Sequence, residues 1–179
     1  MPTWFTSDTH FGHSNIIRLS KRPFANLDEM HAALIERWNA VVGPNDDVWH
    51  LGDFSYRSTK GLVAEIFPRL NGHKRLVIGN HDNDEVLALP WAETPVQRAT
   101  IKLDGKMIVL DHYPSRSWDG LYRGWYHLYG HEHGNCDDWG NCCDVGADCW
   151  NYTPITFAQA LERMAPLPKF NPQARRATQ

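Results

Sequence analysis

At 179 residues, 42% hydrophobic and 22% charged, the chain is long enough for one globular domain with a substantial core. Its formal net charge of −3 argues against a strong electrostatic grip on nucleic-acid backbone or anionic lipid, although bound divalent cations would change the local sign, so nucleic acid stays open as a substrate. No stretch approaches the roughly 20 apolar residues of a membrane span, and Met1-Pro2-Thr3-Trp4 lacks the basic and apolar regions of a secretory signal, so a cytoplasmic protein is expected.

Thr3 to Ser7 is a β-branched and aromatic run that stops at Asp8-Thr9-His10, which predicts a strand followed by a loop. Asn26 with Glu29 three residues on is a capping pattern, and Met30, Leu34, Trp38 and Val41 recur at helical spacing up to a stop at Gly43-Pro44. Asp47 to Leu51 and Arg75 to Ile78 predict short strands, each followed at once by Gly52-Asp53 or Gly79-Asn80, with a helix over 61–70 frayed by Pro68 between them. A strand, helix, strand order implies parallel pairing by a crossover, and ligands of open α/β sheets bind at the carboxyl ends of such strands.

The second half reads differently. Val96 to Leu103 and Lys106 to Leu110 flank Asp104-Gly105, a hairpin turn, and further strands are predicted over 125–129 and 144–147. Thr156 with Gln159 caps a last amphipathic helix to about Met164. One domain over 1–165 and a loose proline-containing tail over 166–179 are therefore expected. The four cysteines, Cys136, Cys142, Cys143 and Cys149, lack paired zinc-type spacing and are read as free structural thiols. Trp118, Trp125, Trp139 and Trp150 are read mostly as core, with one or two left open as platforms for a nucleobase.

Residues of ligand type stand directly after five of these strands: Asp8 and His10; Asp53; Asn80-His81-Asp82; His112; and His131 with His133. A lone histidine at such a place is more often a satisfied polar residue, but five coincidences point to a site. Oxygen donors beside imidazoles suit Mn, Fe, Zn, Ni or Co, with Mn placed first, rather than calcium or magnesium. Asp-x-His and His-x-His on extended backbone would turn both side chains of a pair to one side. Two ions about 3.5 to 4 Å apart activate water for attack on a phosphoryl group and offset charge in the transition state. Asp53 is the central candidate for a bridging carboxylate, and His81 for the general acid that protonates the leaving oxygen.

Taken in order, Asp8-Thr9-His10, Gly52-Asp53, Gly79-Asn80-His81-Asp82, His112 and Gly130-His131-Glu132-His133 resemble the signature of the calcineurin-like metallophosphoesterases, in a minimal bacterial or phage-type form. That resemblance implies a four-layer α/β/β/α sandwich with two stacked mixed sheets and the active site at strand C-terminal ends. It implies that Asp8, His10, Asp53 and His133 hold one metal, and Asp53, Asn80, His112 and His131 the other. Asp53, Asn80 and His81 become the catalytic group, and hydrolysis of a phosphodiester is the leading activity. A phosphomonoesterase acting on nucleotides and a non-catalytic scaffold of the same fold are the alternatives.

One block departs from the pattern. The protein-dephosphorylating branch continues past Gly-Asp with an aspartate that orients its catalytic histidine, and this chain has Phe54-Ser55-Tyr56-Arg57, with Tyr56 in that place. Asp82 is no simple substitute, because neighbours on an extended chain point apart. Arg57, Arg22 and His13, with Asn80 and His81, are the candidate contacts to substrate, and Tyr113 could line the pocket. His31, His50, His73 and His127 are read as structural.

Overall fold

The computed structural model describes residues 1–169, and the expected tail lies outside them from residue 170 onward. Two four-stranded mixed sheets are formed. The first runs β3-β2-β1-β8, from β1 (Thr3–Thr6), β2 (Asp47–His50), β3 (His73–Leu76) and β8 (Ile155–Thr156). Within it β1, β2 and β3 are parallel and β8 is antiparallel to β1. The second runs β4-β5-β6-β7, from β4 (Arg98–Leu103), β5 (Lys106–Asp111), β6 (Tyr126–Tyr129) and β7 (Cys142–Asp144), with β5, β6 and β7 parallel. Asp104 and Gly105 join β4 to β5 with φ of +49° and +76°, both left-handed, as a type I′ hairpin needs.

Three apolar layers explain the stacking. Between the sheets lie Phe5, Leu51, Val77, Ile108, Leu110, Leu128 and Val145, all buried, with Phe157, Ala160 and Met164 of α5 (Phe157–Met164) closing one side. Truncating a side chain such as Leu128 there should cost about 3 kcal/mol. On the outer face of the first sheet, α2 (Leu27–Val41) buries Met30, Leu34, Ile35 and Trp38 against Val48 and Leu76. Its start is fixed as the sequence indicates: Glu29 N–H donates to Asn26 Oδ1 at 2.9 Å, a cap of about 1 kcal/mol. The outer face of the second sheet is covered by Trp118, Leu121, Trp125 and Trp139 around a 3-10 turn at Leu121–Arg123. Trp150 packs against the layer between the sheets, so all four tryptophans of this half are packing residues.

The helix expected over 61–70 is α3 (Leu62–Ile66) running into a 3-10 turn, Phe67–Arg69, at Pro68. Three elements have no sequence counterpart: α1 (Ser14–Leu19), α4 (Asp84–Leu87) and the two-residue β8. Each is too short to show a period and is held by tertiary burial, of Ile16, Val86 and Ile155. The strand expected over 144–147 lies two residues earlier, as β7, and Ala147–Cys149 is a 3-10 turn instead. Val96, expected in the hairpin, forms an isolated bridge to Val77. Beyond α5, Leu167 packs on the core and Lys169 Nζ donates to the carbonyls of Gly140 and Met164, so the first residues past the expected boundary are tied to the domain. No helix of the described residues is long and apolar enough to cross a membrane.

Candidate metal centre

The loops that leave β1, β2, β3, β5 and β6 converge at one end of the two sheets. Those after β1 and β2 run side by side, with Asp8 N–H on the Gly52 carbonyl, His10 N–H on that of Asp53 and Phe11 N–H on that of Phe54. Asp82 clamps the β2 loop to the β3 loop: its carboxylate accepts from Asp53 N–H at 2.9 Å, Phe54 N–H at 2.8 Å and Gly79 N–H at 2.8 Å. Asp82 therefore serves the backbone and not His81. Across the sheets, His131 N–H donates to Asp8 Oδ2 at 2.9 Å. Gly130 passes so close to β1 that a Cβ on it would overlap Ser7 Oγ and lie 2.5 Å from Asp8 Oδ2.

The pairs Asp8/His10 and His131/His133 were expected to share a face by extended alternation, and the structure corrects the reason. Asp8, His10, Asp53, His131 and His133 all have left-handed φ, between +50° and +72°. Each such residue costs on the order of 1 kcal/mol or more, and such conformations cluster where a site over-determines its backbone. Convergence is achieved by bending the chain at the ligands.

Two clusters of ligand atoms result, Asp8, His10 and His133 in one and Asp53, His112 and His131 in the other, each with its donors within 4.8 Å of one another. Asn80 joins the second through Oδ1, 3.1 Å from His112 Nε2. Asp53 stands between them. Its Oδ1 is held by His81 N–H at 2.9 Å, which leaves Oδ2 facing His10 Nε2 at 3.7 Å and His112 Nε2 at 3.5 Å. Asp8 Oδ1 faces His10 Nε2 at 3.8 Å and His133 Nε2 at 3.9 Å.

The donors fit divalent ions. Asp8 Oδ1 and both ring nitrogens of His10 are buried with no hydrogen-bond partner, a cost of about 1–3 kcal/mol per group unless a cation takes up the lone pairs. Two histidines have their outward nitrogen prepared for the same purpose. His112 Nδ1 lies 2.8 Å from the Leu51 carbonyl and His133 Nδ1 lies 2.6 Å from Asp148 Oδ2, so each donates from Nδ1 and presents Nε2 to its cluster.

The electrostatics of the protein groups alone point the same way. Burial raises Asp8 to about 7. Burial also acts on Asp53 upward, but the hydrogen bond and charge of His112 outweigh it and bring the carboxyl to about 2. His112 is depressed by burial, yet Asp53 and Asp8 carry it to about 9. Buried carboxylates that pull an imidazole proton on so strongly are groups that demand positive charge between them.

The remaining candidates divide. His81 stands at the mouth, its Nε2 3.9 Å from Asp53 Oδ2 and its side chain 32% exposed. Its ring rests on Tyr56, centroids 4.1 Å apart, and Tyr56 meets His13 edge-on at 4.6 Å. Arg57 is exposed, its guanidinium over the Tyr56 ring at 5.0 Å. Tyr113 donates from its hydroxyl to Asn80 Oδ1 at 3.2 Å and packs on His131. Arg22, expected to touch substrate, is instead turned inward with its side chain fully buried on Asp148. Its guanidinium is spent on that carboxylate and on the carbonyls of Asp8 and Thr9, which keeps it beneath the site.

Of the histidines read as structural, His31 accepts from Gly12 N–H, His50 meets the Thr9 hydroxyl, and His127 stacks between Trp118 and Tyr129. The cysteines are free, with Cys142 and Cys143 buried. Asp148 is the site residue that sequence reading missed. It directly follows the strand predicted over 144–147, so the strand-end criterion that collected the other ligands would have collected it too.

The sequence profile of the family described as Calcineurin-like phosphoesterase matches residues 1–157. An uncharacterized protein of Methanocaldococcus jannaschii is 34% identical over 162 residues, 86% of each chain. The Gene 66 protein of Mycobacterium phage L5 is 43% identical over 82 residues, 45% of this chain and 39% of the phage protein. Among solved structures, a protein of unknown function from Aquifex aeolicus superposes with a TM-score of 0.71 at 26% identity, covering 91% of this chain and 99% of the other.

Proposed function

The chain belongs to the calcineurin-like phosphoesterase family, and on that premise we propose that it is a binuclear metal-dependent phosphodiesterase. The observation that carries the reading is the placement of Asp53 Oδ2, which faces ligand nitrogens of both clusters, His10 Nε2 on one side and His112 Nε2 on the other. Asp8, His10, His133 and Asp53 would hold one ion, and Asp53, Asn80, His112 and His131 the other. Mn²⁺ is the ion proposed, Fe, Zn, Ni and Co being compatible with the same donors. Bound there, two such ions supply an acidified water and charge neutralisation at the phosphoryl oxygens.

The chain's own groups do the rest. His81, partly exposed beside Asp53, delivers a proton from its ring to the departing oxygen. Tyr56 holds that ring by contact where the protein-dephosphorylating branch uses a carboxylate. Asn80, its Oδ1 already poised beside His112 Nε2 as a ligand, would offer its Nδ2 hydrogens to orient the phosphoryl group.

A diester is favoured over a monoester by charge. A dianionic monoester asks for additional cations. Of the two arginines read as substrate contacts, Arg22 is buried on Asp148, and Arg57 alone reaches solvent.

Parallel assays of p-nitrophenyl phosphate and bis(p-nitrophenyl) phosphate with Mn²⁺, Zn²⁺, Ni²⁺ and Co²⁺ test the reading, and higher kcat/KM on the diester is expected. Protein that takes up two ions and cleaves neither ester would instead be a scaffold of this fold.

A further inference from the structure

His133 is the one ligand whose outer nitrogen meets a charged group. Its Nδ1 donates to Asp148 Oδ2 at 2.6 Å, whereas His112 Nδ1 meets the neutral carbonyl of Leu51 and His10 Nδ1 meets nothing. Asp148 is itself gripped by Arg22 in a two-pronged contact, Nε to Oδ1 at 2.9 Å and Nη2 to Oδ2 at 2.8 Å. The same guanidinium donates to the carbonyl of Asp8 at 2.7 Å and to that of Thr9 at 3.0 Å. One buried cation thus joins the backbone carrying Asp8 and His10 to the carboxylate that carries His133.

We propose that Asp148, fixed by Arg22, is the positioning residue that sets the orientation and donor strength of His133, so that the Asp8–His10–His133 cluster binds its ion more tightly than the cluster of Asp53, Asn80, His112 and His131. A carboxylate on the far nitrogen fixes the tautomer, restrains ring rotation and raises the basicity of the coordinating nitrogen more than a neutral carbonyl does. A buried Arg–Asp pair adds little stability over apolar residues of the same volume. Its placement behind a ligand is better explained by what it does to that ligand.

The inference rests on the two-metal reading, and titration of the metal-free full-length chain with Mn²⁺ separates the two. The wild-type chain should bind in two classes. Asp148→Asn should weaken the tighter class by about 10- to 100-fold and leave the other unchanged. His133→Ala should weaken that same class, with little added by combining the two substitutions, since they act on one ligand. With Co²⁺ as the probe, Asp148→Asn should shift the visible band of one ion only.

Two classes left intact by Asp148→Asn, or both weakened equally, would overturn the role of Asp148 while leaving the metal centre standing. A wild-type chain that takes up no ion would remove both. Should Asp148→Asn fail to fold, ¹⁵N shifts of the His133 ring in the Zn²⁺-loaded wild type decide: a protonated Nδ1 with a coordinated Nε2 supports the role, and the reverse tautomer excludes it.

Discussion

The two ligand clusters share a carboxylate and little else. The one around Asp8 and His10 is nearly sealed, with those residues 0% and 2% exposed and the His133 side chain open at 15%, and is backed by the Asp148–Arg22 pair. The one around His112 opens toward solvent through Asn80 and Tyr113, the latter 46% exposed, and is braced by neutral groups, the Leu51 carbonyl and the Tyr113 hydroxyl. A sealed, charge-backed cluster would retain an ion, and an open, neutrally braced one would leave room for a substrate oxygen beside it. The difference is made partly at a ligand, since the exposed Asn80 stands where the other cluster has a second carboxylate, and partly behind the ligands, in the groups that brace them.

Asp53→Asn probes what the clusters share and carries the largest expected effect. It should lower kcat/KM on bis(p-nitrophenyl) phosphate by more than about 10³-fold and reduce uptake of both ions, measured as metal content per chain. His81→Ala comes next, lowering kcat by about 10²- to 10³-fold with metal content unchanged, because His81 contributes to neither cluster. Loss of an ion in that variant would make His81 a support of the centre and not an acid.

Tyr56→Ala should lower kcat by roughly tenfold by freeing the His81 ring. Tyr56→Phe should stay near wild type, since the contact is ring on ring. Equal losses in the two variants would move the role from the ring to the hydroxyl. Smallest is Tyr113→Phe, which removes one hydrogen bond worth about 1 kcal/mol. It should weaken only the open cluster, by less than tenfold, and weakening of the sealed cluster would contradict the division between them.

Much of this centre was legible in the sequence because strand ends announce themselves. An apolar run stops, and the next polar residue of ligand type stands where parallel strands deliver side chains, as at Leu51-Gly52-Asp53. The hairpin at Asp104-Gly105 and the capped helix α2 were legible for a similar reason, each having a local code. Arg22 and Tyr56 were not. Arg22 finds its partner 126 positions away, and nothing in Arg22-Pro23-Phe24 says whether its guanidinium faces in or out. Tyr56 reads as a missing aspartate until the ring of His81 is seen resting on it. The left-handed turns at five ligand residues were equally hidden, since they arise from the pairing of loops far apart in the chain.

The closeness of Gly130 to Ser7 has a mechanical consequence. The first sheet supplies Asp8, His10, Asp53 and Asn80, the second supplies His112, His131 and His133, and at Gly130 the seam between them has no room for even a methyl group. Ions held from both sides would act there as rivets through two plates already pressed together, and His131 N–H on Asp8 Oδ2 marks the line along which the plates would shear. Slippage of one sheet along the other would then have to break coordination as well as the core between them. The loaded protein would then be stiffest at the metal centre, and a Cβ introduced by Gly130→Ala acts as a wedge driven into that joint.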